Sequence, residues 1–447
     1  MSSVKLIVLL LTVCLLAGCM SGCVTPEPGV TTTAPSGNIE AVDYASQVKL
    51  DMDSTTLKQE VTVKTYVDGD TVHFHVPTDV MPNGVLKARF LAINTPESTG
   101  KIEEYGKAAS NFTREKLSNA VSIIIESDTD SWNADSTGGR YLVWVWYKTA
   151  DMADYRNLNL EILQNGLAIA SNSGGNIYGS IAQAAIAQAR ALKLNVYSGK
   201  PDPDFYYGEA IELDLKELRS NVEDYNGLKV AFNGIVTMNS NQSVYVEVYD
   251  SETDMYYGMS VYYGYGLNGD GVQILNVGNE VRIVGTVQYY ETGGTWQVSG
   301  LTYRSMKPKD PSNIQKLSEG HTPAYVLTDA DRFANGTVDV VVDDTITTLP
   351  YAQLAMSTSI RMENLHVRDV YTTDNEESSS NGAMTLTCEV NGVTISVRTV
   401  VLIDENGELV TADAYLGKTI DVKGIVDFFD GTYQIKVFSA NDIIVHN

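Results

Sequence analysis

Two stretches in the second half of the chain repeat each other, and this restricts the fold more than any other feature. Val277-Gly278-Asn279-Glu280-Val281, followed by Ile283, Gly285 and Val287, is echoed by Leu416-Gly417-Lys418-Thr419-Ile420, followed by Val422, Gly424 and Val426. Both glycines are displaced by 139 residues (278 to 417, 285 to 424). Each copy then turns and returns, through Gly294-Thr295-Trp296-Gln297-Val298 or Gly431-Thr432-Tyr433-Gln434-Ile435. There the offset is 137, so the second loop is two residues shorter. Alternation of apolar and polar residues makes these strands, and a repeat makes them two copies of one unit. A glycine inside a strand marks a bend, as at the corner of a small barrel. Each unit opens with an earlier strand, Val230 to Val236 and Ile360 to Val367.

The chain of 447 residues has room for about three domains on the usual length prior. The expected fold is mainly β with some α: an OB-type five-stranded β-barrel plus helices over 58–200, then two further small β-barrels of OB type over 206–306 and 322–447. A pair of immunoglobulin-like sandwiches is the competing architecture for the tail. Lys and Arg number 31 against 56 Asp and Glu, a net charge of −25. Residues 1–200 carry only −4 of it and residues 201–447 carry −21. Phosphate binding rests on Lys and Arg displacing counterions, so the tail is a poor nonspecific nucleic-acid binder. Its run of Tyr245, Tyr249, Tyr256, Tyr257, Tyr262, Tyr263 and Tyr265 could stack bases. Tyrosine is also simply a good strand residue, and the charge favours that reading. The ligand of the tail stays open.

Three of the four cysteines, Cys14, Cys19 and Cys23, lie in the first 23 residues and the fourth is Cys388, so no disulfide framework supports the domains. Lys5, the apolar run Leu6 to Leu16 and Ala17-Gly18-Cys19 read as an export signal over 1–18. The small residues ahead of Cys19 resemble a prokaryotic lipobox, which makes Cys19 the expected lipidation site; an ordinary signal cleaved elsewhere is the alternative. Residues 19–57, with their Thr, Pro and Gly, are expected to be a flexible tether holding a monomer at the extracytoplasmic face of a membrane.

Chemistry concentrates in the first domain. Val61 to Lys64 and Thr71 to Val76 alternate around Asp68-Gly69 as a hairpin. Lys87 to Ile93 is expected to be a strand ended by Asn94-Thr95-Pro96, and Ala108 to Leu117 a helix. Val121 to Glu126 and Tyr141 to Tyr147 follow as strands, then helices at Leu158 to Gln164, closed by Gly166, and at Ile181 to Leu194. Asp68 and Asp70, two apart around a turn, can offer carboxylates to one hard cation. Each residue also has a plain structural reading. Asp-Gly-Asp-Thr makes an ordinary turn, Arg89 can be a surface arginine on a strand, and Glu97 can be an acid at a helix N-terminus.

In combination these motifs resemble the staphylococcal-nuclease (thermonuclease) family. The shared landmarks are Asp68-Gly69-Asp70-Thr71, Arg89 followed by Thr95-Pro96-Glu97, Gly139-Arg140 before an apolar strand, and Gln164-Asn165-Gly166-Leu167-Ala168. The resemblance implies a nuclease that cuts DNA and RNA to 3′-phosphate ends with Ca²⁺. It implies that Asp70, Asn94 and the Thr95 carbonyl hold the Ca²⁺, with Asp68 in support. Glu97 would orient or deprotonate the attacking water, and Arg89 and Arg140 would bind the phosphoryl oxygens. The chain departs from the family at three points. Asn94 replaces an aspartate, which costs one negative charge. Asp135-Ser136-Thr137-Gly138-Gly139-Arg140 is one residue longer than the family's turn and lacks its aromatic. A nucleotide-contacting tyrosine is here Asn172, with Tyr178 as the candidate substitute. The rival function is a surface lipoprotein in which a degenerate nuclease barrel and two OB-like domains bind a ligand without chemistry. His321 and His366 sit in no metal-ligand spacing and take no role.

Overall fold

The fold comes from a computed structural model that describes residues 41–446 apart from 172, 241, 265, 266, 268, 292, 343, 344, 376 and 377. The expected signal segment, Cys19, Asn172 and Tyr265 thus fall outside the described residues. The end of the expected tether already belongs to the fold. Ala45 and Val48 are buried, the Ala45 amide donates to the Gln164 side chain at 2.9 Å, and Arg156 makes a paired contact with Asp43 at 2.7 and 2.9 Å.

The first barrel is built from β1 (Lys58–Tyr66), β2 (Thr71–His75), β3 (Val85–Phe90), β4 (Ser122–Glu126) and β5 (Tyr141–Lys148). Strand β1 runs antiparallel to both β2 and β4, and β3 closes the barrel by pairing parallel with β5. Alternation drives closure: Val72, Phe74, Leu86, Ala88 and Phe90 point inward and are essentially fully buried. Helices α1 (Gly106–Ser118), α2 (Leu158–Gln164) and α3 (Gly179–Ala191) join the same core; Tyr147 of β5 donates to Glu161 of α2 at 2.6 Å, while Trp144 and Trp146 pack on Tyr178 just before α3. The continuous strand expected over Lys87 to Ile93 is broken. Strand β3 ends at Phe90, Leu91 and Ala92 form a turn with Ala92 at φ 67°, and Ile93–Asn94 pairs instead with Ile169–Ala170.

The same connectivity recurs twice. The second barrel consists of β6 (Lys229–Asn239), β7 (Ser243–Asp250), β8 (Met255–Tyr262), β9 (Glu280–Tyr290) and β10 (Thr295–Ser299). The third consists of β11 (Ser359–Thr372), β12 (Met384–Val390), β13 (Val393–Thr399), β14 (Thr419–Phe429) and β15 (Thr432–Val437). In each, the first strand pairs with the fourth and the third runs parallel to the fifth. Closed barrels leave no second sheet to pack face to face, which excludes the sandwich architecture. The repeat glycines occupy equivalent positions, Gly285 opposite Val230 and Gly424 opposite Ile360. A Cβ there would lie 2.6 Å from the Ser299 carbonyl oxygen or 2.4 Å from that of Lys436, so the bend demands glycine.

The two tail barrels share one continuous core, from Leu215 and Val230 through Met356 and Ile360 to Ile443. A hairpin of Thr337–Val342 and Thr345–Pro350, not foreseen in the sequence, lies between them in the chain. Of the tail tyrosines, Tyr245, Tyr257 and Tyr263 are buried, while Tyr249 and Tyr256 pack on each other at 5.2 Å between ring centres. Among the described residues, no helix is long and apolar enough to cross a membrane.

Candidate active site

The turn joining β1 to β2 makes the acidic end of the site. The Asp70 amide donates to the Asp68 carboxylate at 3.1 Å, and the Asp68 amide donates to the Thr71 carbonyl at 3.2 Å, so the turn is fixed by its own side chain. Helix α1 presses against it. A Cβ on Gly69 would lie 2.8 Å from Cβ of Ala109 and 2.9 Å from Cγ2 of Thr95. Thr113 adds a hydroxyl hydrogen bond to the Gly69 carbonyl at 2.6 Å.

Asp70 is completely buried and both its oxygens are occupied. One accepts from the Thr95 amide at 2.8 Å. The other accepts from the Thr71 hydroxyl at 3.1 Å and from the Arg89 guanidinium. Arg89 donates through its other terminal nitrogen to the side-chain oxygen of Asn94. The guanidinium thus bridges the two side chains that the family resemblance assigns to the cation. Asn94 is aligned by its pairing with Ile169, which ties the site to the segment after the Gly166 helix stop. Burial first, and Asp68 second, push the Asp70 carboxyl up to about 7 against the pull of Arg89 and the Thr95 amide.

Glu97 stands beyond this cluster with its side chain exposed. Loss of hydration against the surrounding protein raises its carboxyl, and the charges of Asp68 and Glu103 add to the rise; Arg89 and Arg140 oppose it. Arg140 precedes a strand whose register is set by pairing of Ala88 with Tyr141 and Arg89 with Leu142. Its Nε donates to Asp135 at 2.7 Å, within the longer turn. The structure therefore brings Asp68, Asp70, Arg89, Asn94 and Thr95 into one bonded cluster. Glu97 and Arg140 lie within electrostatic reach of it and of each other.

Among the described residues, no group of three or more His, Cys, Asp or Glu side chains is gathered to hold a metal ion. The donors present here are mixed: two carboxylates, one amide oxygen and a backbone carbonyl. They are all oxygens, the donor type that a hard divalent cation takes.

Tyr178 does not replace the missing nucleotide-contacting tyrosine. Its ring stands edge-on to Trp144 and Trp146, at 5.1 and 5.6 Å, and its hydroxyl donates to buried Glu126 at 3.1 Å. Asn159 was invisible from sequence. Fully buried, it accepts from the Val145 amide at 2.9 Å and donates to the carbonyls of Leu91 and Val143 at 2.9 and 3.1 Å. It thereby fixes the Leu91–Ala92 turn that delivers Asn94.

Beside the site, the first and second barrels wall a cleft of about 700 Å³. Val67 and Ser98, the neighbours of Asp68 and Glu97, line it. Its carboxylates Glu103, Asp202, Asp204 and Glu291 outnumber its cations Lys107 and Arg114, so it is not a phosphate groove.

A closed OB-type barrel with an acid–arginine centre at its first turn defines the class: a nuclease-type OB domain. Residues 87–198 match the family model described as staphylococcal nuclease homologue, so the chain carries a domain similar to that family. The match begins after the Asp68-Gly69-Asp70 turn, which the fold places against Arg89 and Thr95.

Proposed function

We propose that the protein is a Ca²⁺-dependent nuclease that hydrolyses DNA or RNA to 3′-phosphate ends while held by a lipid on Cys19 at the extracytoplasmic face of a membrane. The observation that carries the catalytic part is the bonded cluster of Asp70, Arg89, Asn94 and Thr95 at the first turn, with Glu97 following Thr95 by two residues. Lys5, the apolar run to Leu16 and the small residues before Cys19 support the anchor.

Asp70, Asn94 and the Thr95 carbonyl would hold Ca²⁺, with Asp68 in support. When bound, the ion supplies positive charge to the phosphoryl oxygens. Glu97 has the attributes of a general base, an exposed carboxylate whose proton affinity is raised toward neutrality. It takes a proton from water as the water oxygen attacks phosphorus and the P–O5′ bond breaks; the departing 5′-oxygen takes a proton from solvent, leaving a 3′-phosphate and a 5′-hydroxyl. Arg89 and Arg140 present planar forks to the phosphoryl oxygens, where negative charge grows in the transition state. For Arg89 this means exchanging part of its contact with Asp70 and Asn94 for contact with substrate.

That contact is also what favours the rival reading, a ligand-binding protein with a resting guanidinium in place of a cation. One experiment decides between them: hydrolysis of single-stranded DNA by the full chain with Ca²⁺ and with chelator, beside Glu97→Gln. Chelator-sensitive cleavage that drops at least about a hundredfold in Glu97→Gln is expected for a lost general base. No cleavage across millimolar Ca²⁺, Mg²⁺ and Mn²⁺ would reject the enzyme.

A further inference from the structure

The loop that carries Glu97 is held from outside its own domain. After Glu97 the chain runs through Ser98, Thr99 and Gly100 and returns at Glu103, whose amide donates to the Glu97 carbonyl at 2.9 Å. At the tip, Gly100 has φ 70°, a conformation that glycine adopts without penalty. This tip rests on strands β9 and β10 of the second barrel. The Gly100 amide donates to the Gln288 side-chain oxygen at 3.2 Å. The Gln288 side-chain nitrogen donates to the Ser98 carbonyl at 3.3 Å. The Ser299 hydroxyl, fully buried, lies 2.8 Å from the Gly100 carbonyl and also against the Gln288 oxygen, donating to one or the other. The far end of the loop is caught as well. The Tyr105 amide, in a left-handed conformation just before α1, donates to Asp202 at 2.6 Å, and the Tyr105 hydroxyl donates to the Lys200 carbonyl at 3.0 Å.

We infer that the second barrel is part of the catalytic unit, with Gln288 and Ser299 acting as positioning residues that fix the Glu97 loop against the Asp68–Asp70 turn. The inference rests on the nuclease reading above. Four features carry it. Every polar backbone group at the loop tip named here is bonded to a side chain about 190 residues away, not to its own barrel. Both of those side chains are buried, which limits the competition of water for the bonds even where Gln288 borders the cleft. Gln288 is a glutamine in the ladder position opposite Gln297, and among the described residues its side chain bonds within the second barrel only to Ser299. The rest of the interface has an independent tie, Arg114 to Glu291, so loosening the loop need not separate the domains. A general base is effective only when held close to its ideal position, because a displacement of about 1 Å can cost a hundredfold in rate.

The test uses the full chain cutting a single-stranded DNA oligonucleotide with Ca²⁺, in Gln288→Ala, Ser299→Ala and the double variant. Gln288→Glu keeps the acceptor for Gly100 with the same shape but loses the donor to Ser98. Glu291→Gln loosens the same interface away from the loop. Hydrogen exchange at the Gly100 amide is followed in each. The expected result is that kcat falls about tenfold or more in the double variant with KM within about twofold, as an orienting role requires. Gln288→Glu should fall in between, Glu291→Gln should match the wild type, and faster exchange at Gly100 should track the loss of kcat. A double variant that keeps wild-type kcat, or keeps Gly100 protected, overturns the inference. An equal loss in Glu291→Gln also overturns it, since it would trace the effect to the interface as a whole. If the wild type itself does not cleave, the nuclease reading fails and the catalytic role with it, while Gly100 exchange still reports whether the second barrel holds the loop.

Discussion

Gly69 shows how a single side chain's absence shapes the site. Its backbone is not in a left-handed conformation; what it lacks is room, because Ala109 and Thr95 lie where its Cβ would go. Neither neighbour is the free end of a flexible chain. Gly69→Ala should therefore destabilise the protein by about 1–3 kcal/mol, as overpacking does, and should displace Asp68 and Asp70 as well. The thermal midpoint measures the first effect and a calcium-binding titration the second; an unchanged midpoint would contradict the packing argument. Asn94 is a second residue-scale case. Asn94→Asp adds a third carboxylate to Asp68 and buried Asp70, with Arg89 the cation bonded at that point. Without metal the thermal midpoint should fall. With millimolar Ca²⁺ it should rise above that of the wild type, since a ligand bound only by the folded state stabilises it. Calorimetric titration should find Ca²⁺ binding tighter by about tenfold, one unit of added ligand charge being the cause. Equal or weaker binding would argue that the cation does not sit at Asn94.

At the scale of elements, Asn159 decides where helix α2 meets the barrel. Three hydrogen bonds from one side chain join α2 to β5 and to the Leu91–Ala92 turn. Asn159→Ala leaves the Val145 amide and the Leu91 carbonyl unpartnered in a dry interior, while the Val143 carbonyl keeps the Leu91 amide, at a cost of about 3 kcal/mol. The urea midpoint should move accordingly, and Asn159→Asp should be no milder, because a carboxylate would face two carbonyl oxygens. A loss below about 1 kcal/mol would mean that water enters and replaces the bonds. Such contacts explain what could and could not be read from sequence. The Asp68-Gly69 hairpin and the repeat glycines were legible because their signal is local: a turn dipeptide, and a glycine where two strands touch. The break at Leu91–Ala92 was not. Phe90 to Ile93 is an unbroken apolar run, and only pairing with Ile169–Ala170, far along the chain, turns it. For the same reason, the site's acids and arginines could be nominated from their order. The Arg89 bridge to Asn94 and the hold of Gln288 on Gly100 could not, since both depend on how distant segments meet.

Across the whole molecule, the acidic tail is one packed body despite its two barrels, and a buried carboxylate sits where they join. Glu247 on β7 accepts from the Ser359 amide at 2.7 Å, the Ser359 hydroxyl at 2.8 Å and the Ala324 amide at 3.3 Å, all from the third barrel's segment. Among the described residues no cation is bonded to it, and its charge adds to burial in raising the phenols of Tyr256 and Tyr325. Burial raises the Glu247 carboxyl above its ordinary value, and the hydrogen bonds from Ser359 and Ala324 recover only part of the loss. The sign follows from linkage. A folded state that holds this proton more tightly than the unfolded chain, where a glutamate titrates near about 4.3, loses stability as pH rises from there through the raised folded value. Above that value the penalty is complete and constant. Half-buried acids such as Asp404, whose carboxyl is held low by the Glu408 amide, act in the opposite sense, so the absolute profile mixes the two. The difference between wild type and Glu247→Gln isolates the buried group, because glutamine does not titrate. Relative to Glu247→Gln, the wild type should gain stability as pH is lowered from neutrality toward the ordinary glutamate value. The two tail barrels should unfold in a single transition at every pH, since their core is continuous. Urea unfolding followed by tyrosine and tryptophan fluorescence across that range supplies both readings. A difference that stays flat with pH would place water against Glu247, and two separate tail transitions would divide the core that Leu215, Val230, Ile360 and Ile443 are seen to share.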